Sequence, residues 1–323
     1  MDLSKTVDAL RAAGEPTRLR ILALLREGEL AVGELAQVLG QSQPRLSHHM
    51  KALASAGLVE RLPEGSWVFY RLTGTGPCRD LVNAVLATVE ADGLEFTRDR
   101  GQLEMVRRNR AAAAEAYFGG VAETWDAIRS LHYPNEAIEA ALLDAAGPGP
   151  FGQVIDIGTG TGRMLALFAA RARRAEGLDF SHQMLTVARA NLARDGVSNA
   201  RVRHGDAAAT PFEAGCADLV LIHQVLHYVE APDQVIAEAA RILAPGGRIL
   251  IVDFAPHDLE FLRQRHGHRR LGVRHEAMVE WLADVGLPAS PPLQFAPPHD
   301  KDQGLAVQIW TVERPQLAQE TAA

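Results

Sequence analysis

Val154-Ile155-Asp156-Ile157-Gly158-Thr159-Gly160-Thr161-Gly162 reads as a short buried strand that runs into a glycine-rich turn. We predict that a helix follows over Arg163 to Ala172. Glycine suits such a turn because it adopts positive φ and allows close backbone approach at little cost. The first N–H groups of a helix have no partner within it, so they are available to a ligand. The stretch therefore predicts a strand–turn–helix unit with a ligand site at the turn.

The residues around the turn restrict the kind of ligand. The spacing Gly-x-Gly-x-Gly differs from the Gly-x-Gly-x-x-Gly of dinucleotide sites. Asp156 would repel a pyrophosphate but suits an ammonium group, and S-adenosylmethionine (SAM) carries an ammonium, a carboxylate and no phosphate. Two more acids, Asp179 and Asp206, each follow a strand-like run. Asp179 stands near the position where βαβ nucleotide sites place a ribose-binding acid.

The glycine turn and the three ordered acids together resemble the class I SAM-dependent methyltransferases. The resemblance implies an α/β fold, namely a Rossmann-like, seven-stranded, mostly parallel sheet, and a site for SAM or its product S-adenosylhomocysteine (SAH). Asp156 and the glycines would surround the amino-acid end, Asp179 the ribose, and Phe180 the adenine. The implied ligand residues are Asp156, Gly158, Thr159, Gly160, Gly162, Asp179, Phe180, Met184, Asp206, Ala207, His223 and Gln224.

The rest of this half alternates helices with strands. Ala217 to His223 is a nearly continuous apolar run, as a buried central parallel strand requires. Arg248 to Phe254 is predicted as the next strand, and Ala306 to Val312 as a last, antiparallel one. Methyl transfer can run largely on proximity and alignment. The candidate bases, all at or after the fourth strand, are His223, His227 and Tyr228.

The N-terminal third predicts a helix-turn-helix followed by a hairpin. We expect helices over Ala12 to Arg26, Glu34 to Leu39, and Ser42 to about Ser55. The last has an apolar back and a polar front, which is typical of a helix that reads DNA. Two β-rich runs, Leu58 to Leu62 and Trp67 to Leu72, flank a Gly-containing turn and form the predicted wing.

Three segments of this third, Glu15 to Leu22, Ser42 to Lys51 and Ala56 to Val59, resemble the ArsR/SmtB family of dimeric winged-helix repressors. The resemblance implies a double-stranded DNA operator as partner and a homodimer formed through the N-terminal domain, with the helix Cys78 to Glu90 in its interface. His49 is predicted to pack inward. The implied DNA-binding residues are Ser42, Gln43, Arg45, Ser47, His48, Lys51, Arg61, Trp67 and Arg71.

The family's metal sensors carry paired cysteines in the third helix, where this chain has Ala31 and Gly33. Neither side chain can ligate a metal, so we predict no metal at that site. The two cysteines, Cys78 and Cys216, are far apart in the sequence and form no Cys-x-x-Cys pair. A sensor that uses surface histidines instead is a poor alternative.

Length and charge bound the architecture. The chain has 323 residues and a net charge of −7, but residues 1–76 hold nine Lys/Arg against eight Asp/Glu. We predict a winged-helix domain over 1–90, a helical connector and lid over 91–146, a SAM-binding domain over 147–313 and a disordered tail over 314–323. No signal core and no membrane-spanning run is visible, which predicts a cytoplasmic protein without a membrane partner.

Three segments can each be interpreted in two ways. The basic helix predicted over residues 98–116 is either a solvated face, which we favour, or a secondary DNA contact. The aromatic residues between 117 and 133 form either a lid or inter-domain packing. The histidine-rich, basic segment 261–272 either meets an acidic substrate or DNA, or is a solvated, salt-bridged loop.

A DNA-binding domain joined to a SAM-binding domain predicts a transcriptional regulator. The whole arrangement resembles the SAH-responsive ArsR-type repressors of methionine-cycle genes, in which ligand would alter the spacing of the recognition helices. The alternative is an active SAM-dependent methyltransferase, with a small-molecule acceptor, that also binds DNA.

Overall fold

The computed structural model describes residues 1–64, 67–73, 76–90, 93–110, 135–296 and 305–316. They fall into two compact units, Met1–Ala112 and Ala113–Ala323. Among the described residues, no helix combines the length and the apolar character needed to cross a bilayer. The aromatic stretch between 117 and 133 and most of the tail lie outside the described residues, so the predictions for them, and the predicted domain boundaries, stay predictions.

The first unit packs six helices around a small antiparallel sheet of strand order β1-β3-β2 in its described part. Leu46 and Met50 of the fourth helix are fully buried against this core, which fixes which face of that helix points outward. The elements are α1 (Leu3–Ala13), α2 (Pro16–Arg26), β1 (Leu30–Ala31), α3 (Val32–Leu39), α4 (Gln43–Ser55), β2 (Val59–Glu64), β3 (Trp67–Leu72), α5 (Pro77–Ala87) and α6 (94–110).

The predicted helix from Ala12 to Arg26 was wrong at its start. The structure has two helices there, because α1 ends at Ala13 and α2 begins only at Pro16. The Glu15 side chain accepts a hydrogen bond from the Arg18 backbone N–H at 2.9 Å, which caps α2. The hairpin of β2 and β3 is confirmed, with Glu64 paired to Trp67 at its tip.

The described part of the second unit contains a seven-stranded sheet of order β6-β5-β4-β7-β8-β10-β9. The first five strands are parallel, and β10 pairs antiparallel with both β8 and β9. The predicted α/β fold with a seven-stranded, mostly parallel sheet is therefore confirmed. The elements are α7 (Asn135–Ala146), β4 (Phe151–Ile157), α8 (Arg163–Phe168), β5 (Ala172–Asp179), α9 (His182–Arg194), β6 (Ala200–His204), β7 (Ala217–His223), α10 (Pro232–Ile242), β8 (Leu243–Phe254), α11 (Glu260–His266), α12 (His275–Asp284), β9 (Leu293–Phe295) and β10 (Val307–Glu313).

The predicted helix from Arg163 to Ala172 was too long. It ends at Phe168, and a 3-10 turn leads to Ala172, which already begins β5. Ala172 pairs with Phe151 of β4, so the partner strand rather than local helix propensity sets this boundary.

The sheet core positions the ligand site. Along β7, Val220 and Ile222 pack on one face of the sheet, and Leu219 and Leu221 pack on the other. Strands β4, β5 and β7 are neighbours and run in the same direction, so their carboxyl ends lie along one edge. Ligands of open α/β sheets bind at such an edge, where the strand order reverses.

Candidate functional site

A cavity of about 650 Å³ opens at the carboxyl ends of β4, β5 and β7. Its volume lies within the range of about 300–1,000 Å³ usual for small-molecule sites. One end, which we call the glycine end, is built by the turn after β4 and by Asp179. The other, the histidine end, is built by His227, Tyr228, Phe254 and His268.

Gly158 lies at the base of the glycine end. Its φ is +73°, and a Cβ at this position would collide with the side chain of Val225. Its N–H donates a hydrogen bond to the Leu178 carbonyl at 2.7 Å, which ties the turn to the end of β5. Both the backbone conformation and the close contact therefore require glycine here.

Asp156 presents an unsatisfied oxygen in this end. The side chain is 1% exposed, and its Oδ2 accepts a hydrogen bond from the Thr159 hydroxyl at 2.6 Å. Among the described residues, Oδ1 has no hydrogen-bond partner. Burial raises the pKa of Asp156 to about 7, and the charge of Asp179 adds to the rise, whereas the Thr159 hydrogen bond opposes it. A cationic donor such as the ammonium of SAM or SAH would satisfy Oδ1 and neutralise this carboxylate.

Asp179 closes the glycine turn from the neighbouring strand. Its Oδ2 accepts a hydrogen bond from the Gly160 N–H, and its Oδ1 accepts one from the Ser181 N–H, both at 2.8 Å. Each oxygen keeps a second lone pair, which a hydroxyl of a bound ribose can use. Phe180 follows on the rim, 76% exposed, with its ring centroid 5.4 Å from that of His204.

Most of the residues that we predicted for the ligand lie together around the cavity. Two do not line it, Gly162 and Asp206. A Cβ on Gly162 would lie 3.2 Å from that of Ala188, so Gly162 serves close helix packing. Asp206 is exposed, and its Oδ1 accepts a hydrogen bond from the Ala208 N–H at 2.9 Å, so its carboxylate caps a turn. Those that line the cavity are Asp156, Gly158, Thr159, Gly160, Asp179, Phe180, Met184, Ala207, His223 and Gln224.

The three candidate bases also line the cavity, but they differ in their surroundings. Burial lowers the pKa of His223 to about 4, which keeps its imidazole neutral at physiological pH. Tyr228 is 44% exposed. His227 is buried, and its Nδ1 lies 2.7 Å from Oδ1 of the fully buried Asp253. His227 is therefore held at hydrogen-bond distance from a buried carboxylate.

The sequence reasoning missed several residues of the site. Glu139 and Arg163 line the glycine end and form an ion pair, with 2.7 Å between Nε of Arg163 and Oε1 of Glu139. Asp253, the last residue but one of β8, lies behind His227, and His268 lies beyond α11. The opposite charges of Glu139 and Arg163 gave no signal, because they lie on different helices. No three His, Cys, Asp or Glu side chains of the described residues are grouped as a metal site would require.

The histidine-rich segment 261–272 combines parts of both interpretations. Two of its arginines are engaged locally: Arg263 lies 3.2 Å from Glu260, and Arg270 donates to the Glu230 carbonyl at 3.0 Å. Its His268, in contrast, is 3% exposed and lines the cavity. The segment is therefore salt-bridged on its surface and contributes one imidazole to the site.

Helix α4 presents a polar face in the first unit. The side chains predicted to touch DNA from this helix and from its N-cap position are all exposed, whereas Leu46, Met50 and Leu53 are buried. His49 is buried as predicted, and its Nδ1 lies 3.5 Å from Oε2 of Glu15. The exposed set comprises Ser42, Gln43, Arg45, Ser47, His48 and Lys51.

The wing differs from the prediction at one position. Arg61 is exposed, but Arg71 is 6% exposed and pairs with Glu60, with 2.6 Å between Nε and Oε2. Its Nη1 also lies 3.9 Å from Oε1 of Glu29. Arg71 therefore supports the base of the wing and does not present its charge to DNA. The Trp67 side chain lies outside the described part of the chain.

These two units define the class of protein, a winged helix-turn-helix DNA-binding protein joined to a class I methyltransferase fold. Sequence comparison agrees: the family "Bacterial regulatory protein, arsR family" matches residues 15–61, and "Methyltransferase domain" matches residues 155–251. An uncharacterized HTH-type transcriptional regulator, MJ1325 of Methanocaldococcus jannaschii, is 43% identical over 67 residues, which are 20% of this chain and 75% of that protein. The chain belongs to the arsR family of regulators through its first unit and carries a methyltransferase domain in its second.

Relatives of the second unit are named as methyltransferases. The uncharacterized methyltransferase YcgJ of Bacillus subtilis is 31% identical over 136 residues, 41% of this chain and 54% of that protein. The demethylmenaquinone methyltransferase of Clavibacter sepedonicus is 32% identical over 151 residues, 46% of this chain and 61% of that protein. The chain thus spans little more than half the length of these relatives. The crystal structure of YcgJ matches 55% of this chain and 98% of its own, with a TM-score of 0.48 and 19% identity.

Proposed function

We propose that this protein is a DNA-binding transcriptional regulator whose affinity for its operator is set by SAH or SAM in the cavity. It would act as a repressor of methionine- and SAM-cycle genes. The observation that carries the ligand assignment is the buried Oδ1 of Asp156, which has no hydrogen-bond partner among the described residues. It lies beside a turn in which a side chain at Gly158 would collide with Val225. An amino-acid ammonium supplies the missing donor, and SAM and SAH both have one.

The DNA-binding part of the proposal uses the exposed face of α4. Arg45 and Lys51 would neutralise phosphates or reach bases, while Ser47 and His48 offer further hydrogen-bond donors. A homodimer through the first unit would bring two such helices into successive major grooves, roughly 34 Å apart. The operator would then consist of two half-sites about one DNA turn apart.

Regulation requires that ligand and DNA binding be coupled. A ligand changes DNA affinity only to the extent that it binds the two conformations of the protein with different affinity. The segment that joins the units, residues 111–134, lies outside the described residues. The coupling between the two sites is the change in DNA affinity that the ligand causes, and this change can be measured directly.

The test is fluorescence anisotropy of the full chain on DNA from its own upstream region, bare, with SAM and with SAH. Salt is fixed, because phosphate contacts make affinity salt-dependent. We expect SAH or SAM to change the dissociation constant about tenfold, which is about 1.4 kcal/mol of coupling. Equal DNA affinity in all three conditions would reject the proposal.

Two variants make the test specific. Lys51→Ala should weaken DNA binding equally in all three conditions and leave the ligand effect unchanged. Gly158→Ala should keep DNA binding and abolish the ligand effect, because the added Cβ collides with Val225. A ligand effect that survives Gly158→Ala would place the effector elsewhere in the protein.

A second candidate function is methyl transfer to a small acceptor. The observation that favours it is the pairing of His227 with Asp253 in the same cavity as the proposed ligand site. A regulator that only binds SAH has no evident use for an imidazole held in this way. Incubation with methyl-labelled SAM and fractions of a cell extract tests this function, which requires label in an acceptor.

A further inference from the structure

The histidine end of the cavity contains two buried imidazoles that the sensing of SAH leaves without a role. His227 is 1% exposed and His268 is 3% exposed, and both line the cavity. Their ring centroids are 4.3 Å apart. Distant parts of the chain place them together, the segment after β7 and the segment after α11.

The environment of His227 fixes which of its nitrogens carries a proton. Its Nδ1 lies 2.7 Å from Oδ1 of Asp253, whose side chain is fully buried. A carboxylate can only accept hydrogen bonds, so Nδ1 carries the proton and Nε2 holds the lone pair. Nε2 forms no hydrogen bond with any residue in the described part of the chain. This is the arrangement of a base whose partner carboxylate stabilises the imidazolium.

His268 provides an independent indication of a ligand. Its Nδ1 is buried and has no hydrogen-bond partner among the described residues. Burial, and then the neighbouring His227, lower its pKa to about 3, so the ring is neutral at physiological pH. An unpaired buried nitrogen costs free energy unless something pairs with it, and a ligand in this cavity can do so.

The surroundings favour a neutral ligand with an aromatic ring, because aromatic side chains line this end of the cavity. The Phe254 ring lies nearly parallel to that of His268, at 12° and 6.0 Å, and the Tyr228 ring lies 5.0 Å from it. Within the described residues, Arg163 is the only lysine or arginine that lines the cavity, and it pairs with Glu139 at the glycine end. No lysine or arginine of the described residues therefore lines the histidine end, where it could bind an anionic substrate.

We propose that the histidine end is the acceptor site for a neutral aromatic hydroxyl compound, with His227 taking the hydroxyl proton and His268 donating a hydrogen bond to the same oxygen. The proposal deepens the second candidate function and rests on SAM binding at the glycine end. SAM supplies a methyl group on a positively charged sulfur. The hydroxyl oxygen forms a bond to that methyl carbon while the carbon–sulfur bond breaks, its electron pair stays on sulfur, and SAH remains. The proton passes to Nε2 of His227, and the Asp253 carboxylate stabilises the resulting imidazolium.

The test has a binding arm and a turnover arm, both on the full chain. The probes are phenol, naphthol and hydroxyphenanthrene, each matched by its parent hydrocarbon and by the corresponding carboxylic acid. In calorimetry with SAH-saturated protein, we expect at least one hydroxyl probe to bind at least tenfold more tightly than its two matched analogues. With methyl-labelled SAM, the same probe should yield the labelled methyl ether.

Variants assign the roles of the residues. His227→Gln should lower turnover by a hundredfold or more and change SAH affinity less than threefold. His268→Phe should lower the affinity for the hydroxyl probe about tenfold in the binding arm. His266→Gln is the matched control, because His266 lies on α11 and does not line the cavity, and it should change neither quantity.

Three results would overturn the inference. One is equal binding of hydroxyl probes and their hydrocarbons, and another is the absence of any labelled ether while SAH still binds. The third is unchanged turnover in His227→Gln. Failure of SAH itself to bind would be a different result, because it rejects the proposed function on which this inference rests.

Discussion

The two ends of the cavity are built in different ways. The glycine end is made by one continuous stretch, Asp156 to Gly160, and by Asp179 at the end of the adjacent strand. The histidine end is assembled from three separate segments, which supply His227 and Tyr228, Phe254, and His268. Asp253 holds His227 from outside the cavity lining. The first depends on backbone geometry that glycine permits, and the second on buried side chains that orient one another. Substitutions should therefore separate ligand affinity, at the first end, from any chemistry at the second.

The largest expected effect is at the backbone of the glycine end. Gly158→Ala should weaken SAH binding a hundredfold or more, about 2.7 kcal/mol, since φ is +73° and the new Cβ would collide with Val225. Gly160→Ala is the matched control. Its φ is +52°, but nothing lies within 4 Å of the added Cβ, so it should weaken binding much less. Calorimetry with SAH measures both, and equal losses would show that strain rather than collision is decisive.

A smaller effect should appear in the pH dependence of SAH binding. The pKa of Asp156 is about 7 in the ligand-free protein, and a bound ammonium favours the ionised carboxylate. Below pH 7 the carboxyl must lose a proton when the ligand binds, so affinity should fall about tenfold between pH 8 and pH 6.

Two substitutions of aspartate by asparagine serve as the matched variants for this measurement. Asp156→Asn should bind SAH more weakly and with little pH dependence. Asp206→Asn should keep the pH dependence of the wild type, because Asp206 is exposed and does not line the cavity. Retention of the full pH dependence by Asp156→Asn would assign the titration to another group.

The smallest effect is expected at the histidine end and concerns stability. His268→Phe should raise the free energy of unfolding by about 1 kcal/mol, because it removes a buried nitrogen without a described partner and keeps a flat ring next to Phe254. SAH affinity should not change. Urea unfolding followed by circular dichroism measures the difference. A loss of stability would mean that Nδ1 of His268 is paired in the folded protein.

The comparison of the two ends also shows what the sequence could predict. The turn from Gly158, the acid at Asp179 and the central strand Ala217–His223 were predicted because each depends on nearby residues. The partners of His227 were missed because Asp253 was read only as part of a strand and His268 as part of a basic segment. Their proximity depends on the pairing of β7 with β8 and on the course of the chain after α11.

The predicted boundaries of two helices were wrong for a similar reason. The end of α8 at Phe168 is set by the pairing of Ala172 with Phe151, and the break before α2 is set by the Glu15 cap. In the first unit, the family resemblance implied that Arg71 touches DNA, but the sequence did not show which neighbours its side chain meets. Its burial beside Glu29 and Glu60 is a tertiary property.

The burial of Arg71 has a consequence for experiments at different ionic strengths. The side chains of Arg71 and Glu29 are 7% and 6% exposed, and that of Glu60 is 34% exposed, so dissolved ions reach this cluster from one side only. Salt should therefore leave the shape of the wing base unchanged over concentrations that abolish phosphate contacts. The slope of DNA affinity against salt concentration would then report the number of counterions displaced from the operator. A salt-dependent change in the structure of the wing would not contribute to this slope.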